Sequence, residues 1–347
     1  MNEKRRGETA LRGMRRSKHM EEIRLGTIGS GAIVRTILDN VMVTPGICLE
    51  AVYSRTREKG ETLAAGYGCS KVYTDMDAFL TDDSVNFVYI ATPNLLHYPQ
   101  AKKALLAGKN VLLEKPFTTR LEHARELVDL ARERDLLLID AVPTAFLPNL
   151  TVLREQLPRI GRIRLVMSNY SQYSSRYDQL LAGQVPNIFN PEYAGGSLMD
   201  INFYNVYLNA VLFGKPRSAV YYPNIYPGLA DTSGCLILQY PDFVSQCIGA
   251  KDTWGVNFFQ IEGEQGYIYV SGGANGIAGV QVVTKTENET FNLQENPNRW
   301  FYEVQGVTRQ VLSGDREGFR AGLDTMLTVI EVLENSRKAA GIRFPGD

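Results

Sequence analysis

The chain has 347 residues, 44% hydrophobic and 22% charged, with a formal net charge of −1. That length suits two domains, and the near-neutral balance gives no general attraction for nucleic acid or an anionic membrane. No apolar run approaches a membrane span. The four cysteines (Cys48, Cys69, Cys235, Cys247) form neither a CxxC pair nor a metal-ligand spacing with the three histidines. Scattered thiols of this kind point to a reduced, cytoplasmic protein without a metal site.

Residues 1–20 hold seven Lys/Arg against two Glu, without the apolar run of a secretory signal or a helical stripe. They read as a disordered basic tail, or as sequence ahead of a functional start at Met20.

From about residue 21 to 142, strand-like and helix-like runs alternate. IRLGTIG is followed by SGAIVRTILDNVMVT, ICLEAVYS by EKGETLAAGYG, and VNFVYIATP by AKKALLAGK. NVLLEKP is followed by LEHARELVDLARERD, whose Leu121, Ala124, Leu127, Val128 and Ala131 recur at helical spacing, and LLLIDAV ends the series. Strands apolar nearly throughout must be covered on both faces, so this part is predicted to be a doubly wound parallel α/β sheet of Rossmann type. Residues 143–347 read differently: a helical link (LPNLTVLREQL), then the β-rich runs RIRLVMSNYSQY, SAVYYPNIY, GCLILQYPDFVSQCIGA, VNFFQIEGEQGYIYVSG and GVQVVTKTE. A helix over GGSLMDINFYNVYLNAVLFG interrupts them, and REGFRAGLDTMLTVIEVLENSRKAA closes the chain. This order predicts an α+β domain with a large, mostly antiparallel sheet and helices on one face.

The first strand runs into Gly29-Ser30-Gly31, with Ala32, Ile33 and Val34 opening the helix. A pyrophosphate needs close backbone N–H groups and the positive end of a helix, and glycines permit both the turn and the approach. The second strand ends in Ser54-Arg55, with no carboxylate before Glu58. A hydroxyl and a guanidinium suit the 2′-phosphate of NADP better than the ribose diol of NAD, which stays possible. Thr92-Pro93-Asn94 breaks the third strand at the edge where such sheets bind ligands, and the next helix is predicted to begin near Pro99. His97 either packs on that loop or touches cofactor or substrate. Glu114 and Lys115 end the fourth strand in the same crevice, where Pro116 restricts Lys115 to extended geometry and allows a cis bond.

The chain resembles the glucose–fructose oxidoreductase / inositol dehydrogenase / rhizopine-catabolism (Gfo/Idh/MocA) family. The stretches that carry this are GTIGSGAI, AVYSRT, VYIATPNLLHY, ALLAGKNVLLEKP, AGGSLMDINFY and IEGEQGYIYV, spread from about residue 23 to the C-terminal half. The resemblance implies a Rossmann domain, a second domain whose open sheet joins copies into a homodimer or homotetramer, and a catalytic role for Lys115. Where many members have D-x-G-x-H, this chain reads Asp200-Ile201-Asn202-Phe203-Tyr204. Tyrosine at the last position is similar to the dihydrodiol dehydrogenase and glucose–fructose branches, in which it is the acid/base. Asp200 and Tyr204 are four apart, on one helical face. A free phenol, with pKa about 10, is a poor base at neutral pH, and an adjacent Lys115 ammonium is expected to lower it. The family's linker arginine is replaced here by Ala145, before Phe146.

The hydroxyl- and aromatic-rich segment from Tyr170 through Tyr173 and Tyr177 to Asn187 is either a substrate wall or an exposed interdomain loop. These expectations add up to an NADP- or NAD-dependent oxidoreductase moving a hydride between nicotinamide and a small polar sugar, polyol or related alcohol. Two rivals are a non-catalytic NAD(P)-binding regulator, which the presence of both Lys115 and an acid/base disfavours, and an NAD-dependent glycosidase, which the missing carboxylate disfavours.

Overall fold

The computed structural model describes residues 20–347. Apart from Met20, which packs against the first core, the basic stretch lies outside the described residues. Six strands form a wholly parallel sheet: β1 (Ile23–Ile28), β2 (Ile47–Tyr53), β3 (Val72–Tyr73), β4 (Phe87–Ile90), β5 (Asn110–Glu114) and β6 (Leu138–Ala141). Their order is β3-β2-β1-β4-β5-β6, so the winding reverses between β1 and β4 and opens a crevice at the carboxyl ends of both. Between them run α1 (Ala32–Val41), α2 (Arg57–Gly66), α3 (Met76–Leu80), α4 (His97–Leu106) and α5 (Leu121–Glu133). All of β4 is buried, because helices cover both faces of the sheet.

The second sheet has eight strands: β7 (Ile163–Ser171), β8 (Ser218–Ile225), β9 (Asp231–Gln239), β10 (Val244–Ala250), β11 (Phe258–Gly263), β12 (Gly266–Ser271), β13 (Gly279–Thr284) and β14 (Asn288–Phe291). Their order is β14-β13-β12-β11-β7-β10-β9-β8, antiparallel except where β7 meets β10. Alternation along the strands sends Val166, Leu236, Leu238, Phe259, Ile261, Ile268 and Val270 into the core. Val220, Tyr222 and Tyr267 remain exposed. The accompanying helices are α6 (Pro148–Gln156), α7 (Ser175–Leu181), α8 (Phe203–Phe213), α9 (Arg299–Ser313) and α10 (Arg316–Ala339). Among the described residues no helix is long and apolar enough to cross a membrane.

The two closing helices return to the first sheet. Val304, Val307 and Val311 of α9 join Ile23, Leu25 and Val34 in one core, and α10 packs on α5 and β6 as well as on α8. Near its end, buried Arg337 pairs with Asp347 and donates to the Thr119 carbonyl (3.0 Å), fastening the tail beside the parallel sheet.

Several elements differ from the sequence expectation. Helix α4 starts at His97 rather than near Pro99, because a tight turn over Asn94–Leu96 leads into it. Pro99 then falls in the first turn, where its missing N–H costs nothing. Strand β3 and helix α3 are too short to leave a periodic signal, and α7 lies inside the segment read as a loop. Helix α9 is legible in retrospect: Asn298 caps it through Trp300 N (3.1 Å), and Val304, Val307 and Val311 recur at helical spacing.

Asp140 in β6 is buried, its Oδ2 has no partner, and burial pushes its carboxyl up to about 6. The native state therefore binds more protons than the unfolded chain, whose aspartates titrate near 3.9. The contribution of Asp140 to stability should fall as pH rises between those two values, by about 3 kcal/mol, and then level off. Asp140→Asn should flatten that segment of the curve. Urea midpoints at pH about 4 and about 7 check it, and a variant with the wild-type slope would refute the assignment.

Candidate active site

At the end of β1 the chain turns through Gly29 with φ +123°, and a Cβ there would come within 2.5 Å of the Ala91 carbonyl oxygen. Only glycine fits. Gly31 caps α1 without a side-chain bond, and no acidic residue occupies the first helical turn. The free N–H groups of that turn and the helix dipole therefore favour an anion. A cleft of about 480 Å³ runs from Gly29, Ser30 and Gly31 to Ser54, Arg55 and Lys59, with Thr92 and Pro93 on its other wall. No carboxylate lines it. Arg57 faces away and pairs with Glu61 on the surface. Glycine turn, helix end and two cations without an acidic partner among the described residues together fit a phosphate-rich dinucleotide.

A second cavity, of about 280 Å³, adjoins this cleft across Ala91 and Thr92. Ile33 of α1 reaches its wall, and the carboxyl end of β5 supplies Glu114 and Lys115. Lys115 precedes a cis bond to Pro116. His97 is buried with its ring nitrogens 2.9 Å from the carbonyl oxygens of Pro116 and Thr92, so it ties together the loops that border both cavities. Glu114 accepts from the Tyr89 hydroxyl (2.7 Å) and from the Lys115 N–H (3.0 Å).

From the opposite side come Asp200 and Tyr204. The Lys115 ammonium donates to Asp200 Oδ1 (2.9 Å) and to its backbone carbonyl (3.0 Å), and stands 5.2 Å from the centre of the Tyr204 ring. Lys251, just beyond β10, holds Asp200 Oδ2. Burial works against all of these charges. The Lys115 and Lys251 ammoniums nonetheless keep the Asp200 carboxyl well below the usual carboxylate range, and Asp200 keeps Lys115 above its ordinary value. Tyr204 corrects the sequence expectation. Lys115 and Arg299 do pull its pKa down, but burial outweighs them and the phenol sits above its ordinary value. It is a proton-bearing group at neutral pH.

A family model described as an NAD-binding Rossmann-fold oxidoreductase family, Gfo/Idh/MocA, matches residues 23–141. The scyllo-inositol 2-dehydrogenase (NADP(+)) of Bacillus subtilis is 32% identical over 94% of this chain and 99% of its own length. An uncharacterised oxidoreductase of Escherichia coli is 31% identical over 94% and 98%. The chain belongs to the Gfo/Idh/MocA family of oxidoreductases. The trans-1,2-dihydrobenzene-1,2-diol dehydrogenase of Sus scrofa is 27% identical over 86% of the chain and 90% of that enzyme. Among solved structures, a 3-ketoreductase of Actinomadura kijaniata with NADP and TDP-benzene superposes with a TM-score of 0.79 at 23% identity. It covers 91% of this chain and 98% of its own, and speaks to the shared fold.

Within the Gfo/Idh/MocA frame, the sequence-derived residues divide into three groups. Lys115, Glu114, His97, Asp200, Tyr204, Ile33 and Thr92 meet at one cavity. Gly29, Ser30, Gly31, Ser54, Arg55, Thr92 and Pro93 line the adjoining cleft, with Ala32 opening α1 beside them. Asn94 instead donates to the Ala194 carbonyl (2.9 Å), linking the two halves of the chain. Tyr173, Tyr177 and Asn187 are not brought to the cavity wall: Tyr173 stacks on exposed Trp254 (5.5 Å between ring centres), and its hydroxyl binds Asp178. The sequence reading missed Lys251, Arg299 and Trp300. Arg299 spans the Tyr204 ring (5.2 Å) and the Trp300 ring (4.5 Å) at the start of α9.

The two glycines of the turn make separable predictions. Gly29→Ala should destabilise the protein through its positive φ and the collision with Ala91 O. At Gly31 a Cβ would meet nothing within 4 Å, so Gly31→Ala should fold normally and lose nucleotide affinity, by about tenfold or more. Thermal melts with and without NADPH distinguish the two.

Proposed function

We propose that this Gfo/Idh/MocA enzyme interconverts a secondary alcohol and a ketone on a polyol or sugar-like ring, with NADP preferred to NAD. The observation that carries the reading is the approach of the Lys115 ammonium to the Tyr204 phenol, two groups from opposite halves of the chain, within one cavity next to the dinucleotide cleft. Bound nicotinamide supplies the hydride acceptor or donor. Of the three ammonium hydrogens of Lys115, two are used by Asp200, and the third is free for the substrate oxygen. Tyr204 carries the proton. In reduction it gives that proton to the new alkoxide, and in oxidation it takes the hydroxyl proton back. Asp200 aims Lys115 and, with its side chain 27% exposed at the cavity, would also meet a substrate hydroxyl. The cyclic polyol and cyclic diol named for the relatives fit a cavity of this size and polarity.

Ser54, Arg55 and Lys59 would hold the 2′-phosphate of NADP, and the N–H groups of Gly31, Ala32 and Ile33 its pyrophosphate. The exposed face of the second sheet, with Val220, Tyr222 and Tyr267, would join two or more copies. Free thiols at all four cysteines suit a reducing compartment, so the cytoplasm is the proposed location.

Inositols, trans-diols and aldoses offered with NADP and NAD, read by the absorbance of the reduced nicotinamide, test the substrate class. Tyr204→Phe and Lys115→Met should each lower kcat by about 10²–10⁴-fold while leaving NADPH binding intact. Turnover at the wild-type rate in either would remove that residue from the mechanism. Because the native phenol titrates above its ordinary value, kcat/KM for oxidation should keep rising into the alkaline range, and reduction should hold steady through neutral pH. Arg55→Ala with Lys59→Ala should weaken NADPH by about 10–100-fold and leave NADH unchanged. Equal losses for both nucleotides would count against NADP preference.

A further inference from the structure

Lys251 stands just past the end of β10, its side chain only 7% exposed. Its backbone is pinned on both sides: the N–H donates to Thr232 O (2.8 Å), and the carbonyl accepts from Ser174 N (2.9 Å). The ammonium ends on Asp200 Oδ2, 51 residues away in sequence. Polar contacts fix the distance between strand and helix. Asn202 donates to Cys247 O (3.1 Å) and Asn205 to Ile248 O (2.9 Å). Gly249 lets the helix lie close, since a Cβ there would be 2.6 Å from the Cβ of Asn202.

The consequence concerns Lys115. Asp200 has two carboxylate oxygens, one on each lysine. Without Lys251, Oδ2 would be a largely buried carboxylate oxygen with no cation, and the third N–H of Lys115, whose ammonium already sits on Oδ1, would be drawn to it. Two ammoniums against one carboxylate also leave the group with a net positive charge beside Tyr204, whereas Lys115 and Asp200 alone would be neutral. The other ionisable groups around it are Glu114 at the end of β5, Tyr89 on β4, His97 at the start of α4, Tyr170 on β7, Glu303 on α9 and Arg299 over the Tyr204 ring.

We propose that Lys251 is a positioning residue for hydride transfer: it occupies Asp200 Oδ2 so that Lys115 keeps one N–H for the substrate oxygen and its charge for the phenolate of Tyr204. This rests on the roles given above to Lys115 and Tyr204. It adds a third residue, from the second sheet, that touches neither substrate nor cofactor.

The test compares Lys251→Met, Lys251→Arg, Lys115→Met and Tyr204→Phe in the full-length enzyme. Each is assayed for kcat and KM in both directions, for the pH profile of oxidation, and for NADPH affinity by fluorescence. Lys251→Met should lower kcat by about 10–100-fold with NADPH affinity within about twofold of wild type. Its oxidation profile should move to higher pH, since the phenol loses part of its cationic support. Lys251→Arg keeps the charge and should recover most of kcat and the original profile. Adding Lys251→Met to Asp200→Asn should cost little more than Asp200→Asn alone, because the carboxylate that Lys251 restrains is then gone. A Lys251→Met enzyme with wild-type kcat and profile overturns the proposal. So does one that is merely less stable, with the residual activity following the wild-type profile. If Lys115→Met and Tyr204→Phe are themselves silent, the reading of the site falls; if they are inactive while Lys251→Met is not, only the present inference does.

Discussion

The ion pair between Lys115 and Asp200 joins the carboxyl end of β5 in the parallel sheet to the turn that leads into α8. Taking both charges out of water costs several kcal/mol each, and their attraction repays this only with good geometry and further hydrogen bonds. Such a pair is poor evidence of stability. Its value lies in direction. An apolar interface of the same area would hold the halves together while tolerating small slides, but two hydrogen bonds from one ammonium to one residue fix both distance and angle. The Asn94–Ala194 bond and the packing of α9 on α1 act on the same seam and leave the ion pair little freedom.

The supports behind Asp200 follow the same logic. The wide turn over Leu198–Asn202 that carries it is anchored where Asp231 accepts from Leu198 N (2.7 Å) and from the Tyr221 hydroxyl (2.6 Å). Further along, Asn202, Asn205 and Asn209 form a polar ladder against Cys247 and Ile248 in the middle of an otherwise aromatic helix. Buried amides are expensive unless satisfied, and each of these donates its Nδ2 to a partner across the seam, while the Oδ1 atoms of Asn205 and Asn209 have none among the described residues. Asparagine at 202, where the family favours glycine, is thus part of the stitching between α8 and β10. The departures from the family pattern at 202 and 204 sit on one helix, one shaping its seat and the other its chemistry.

What the sequence made legible depended on how local each signal was. The parallel sheet could be read because five of its six strands, all but β3, are short and largely apolar runs with brief connections. The glycine turn and the Glu-Lys-Pro stretch could be read because their chemistry is carried by neighbours in sequence. Lys251 carried no such mark: a lysine after a strand is ordinary, and only the pairing of β10 with β7 under α8 makes it a partner of Asp200. Arg299 was hidden for a related reason, since α9 returns to the first sheet after the whole second sheet has been built. The pKa of Tyr204 was misjudged by counting charges and omitting burial. A lysine 5.2 Å from the ring lowers the cost of the phenolate, yet the walls formed by Phe203 and Tyr170 remove the water that would have lowered it more.

That balance bears on how the site divides its labour. A phenol held above its ordinary value keeps its proton through neutral pH, so reduction begins with the donor already loaded. In the proposed reaction oxidation has to start from the phenolate, so Tyr204 must lose its proton before it can take the hydroxyl proton of the substrate. In reduction the positive groups around the ring would be worth more in the transition state than at rest, because they face a neutral phenol before the proton moves and a developing anion afterwards; in oxidation they would ease formation of the phenolate that starts the reaction. Held by Asp200 and by the bond from Arg299 to the Asn275 carbonyl (3.1 Å), they need no rearrangement when that charge appears. Burial, which opposes the phenolate in the resting enzyme, is also what keeps water from screening those cations when they act. The dry walls and the surplus of cations therefore belong together: either alone would leave the tyrosine too reluctant a base or too well screened to be helped.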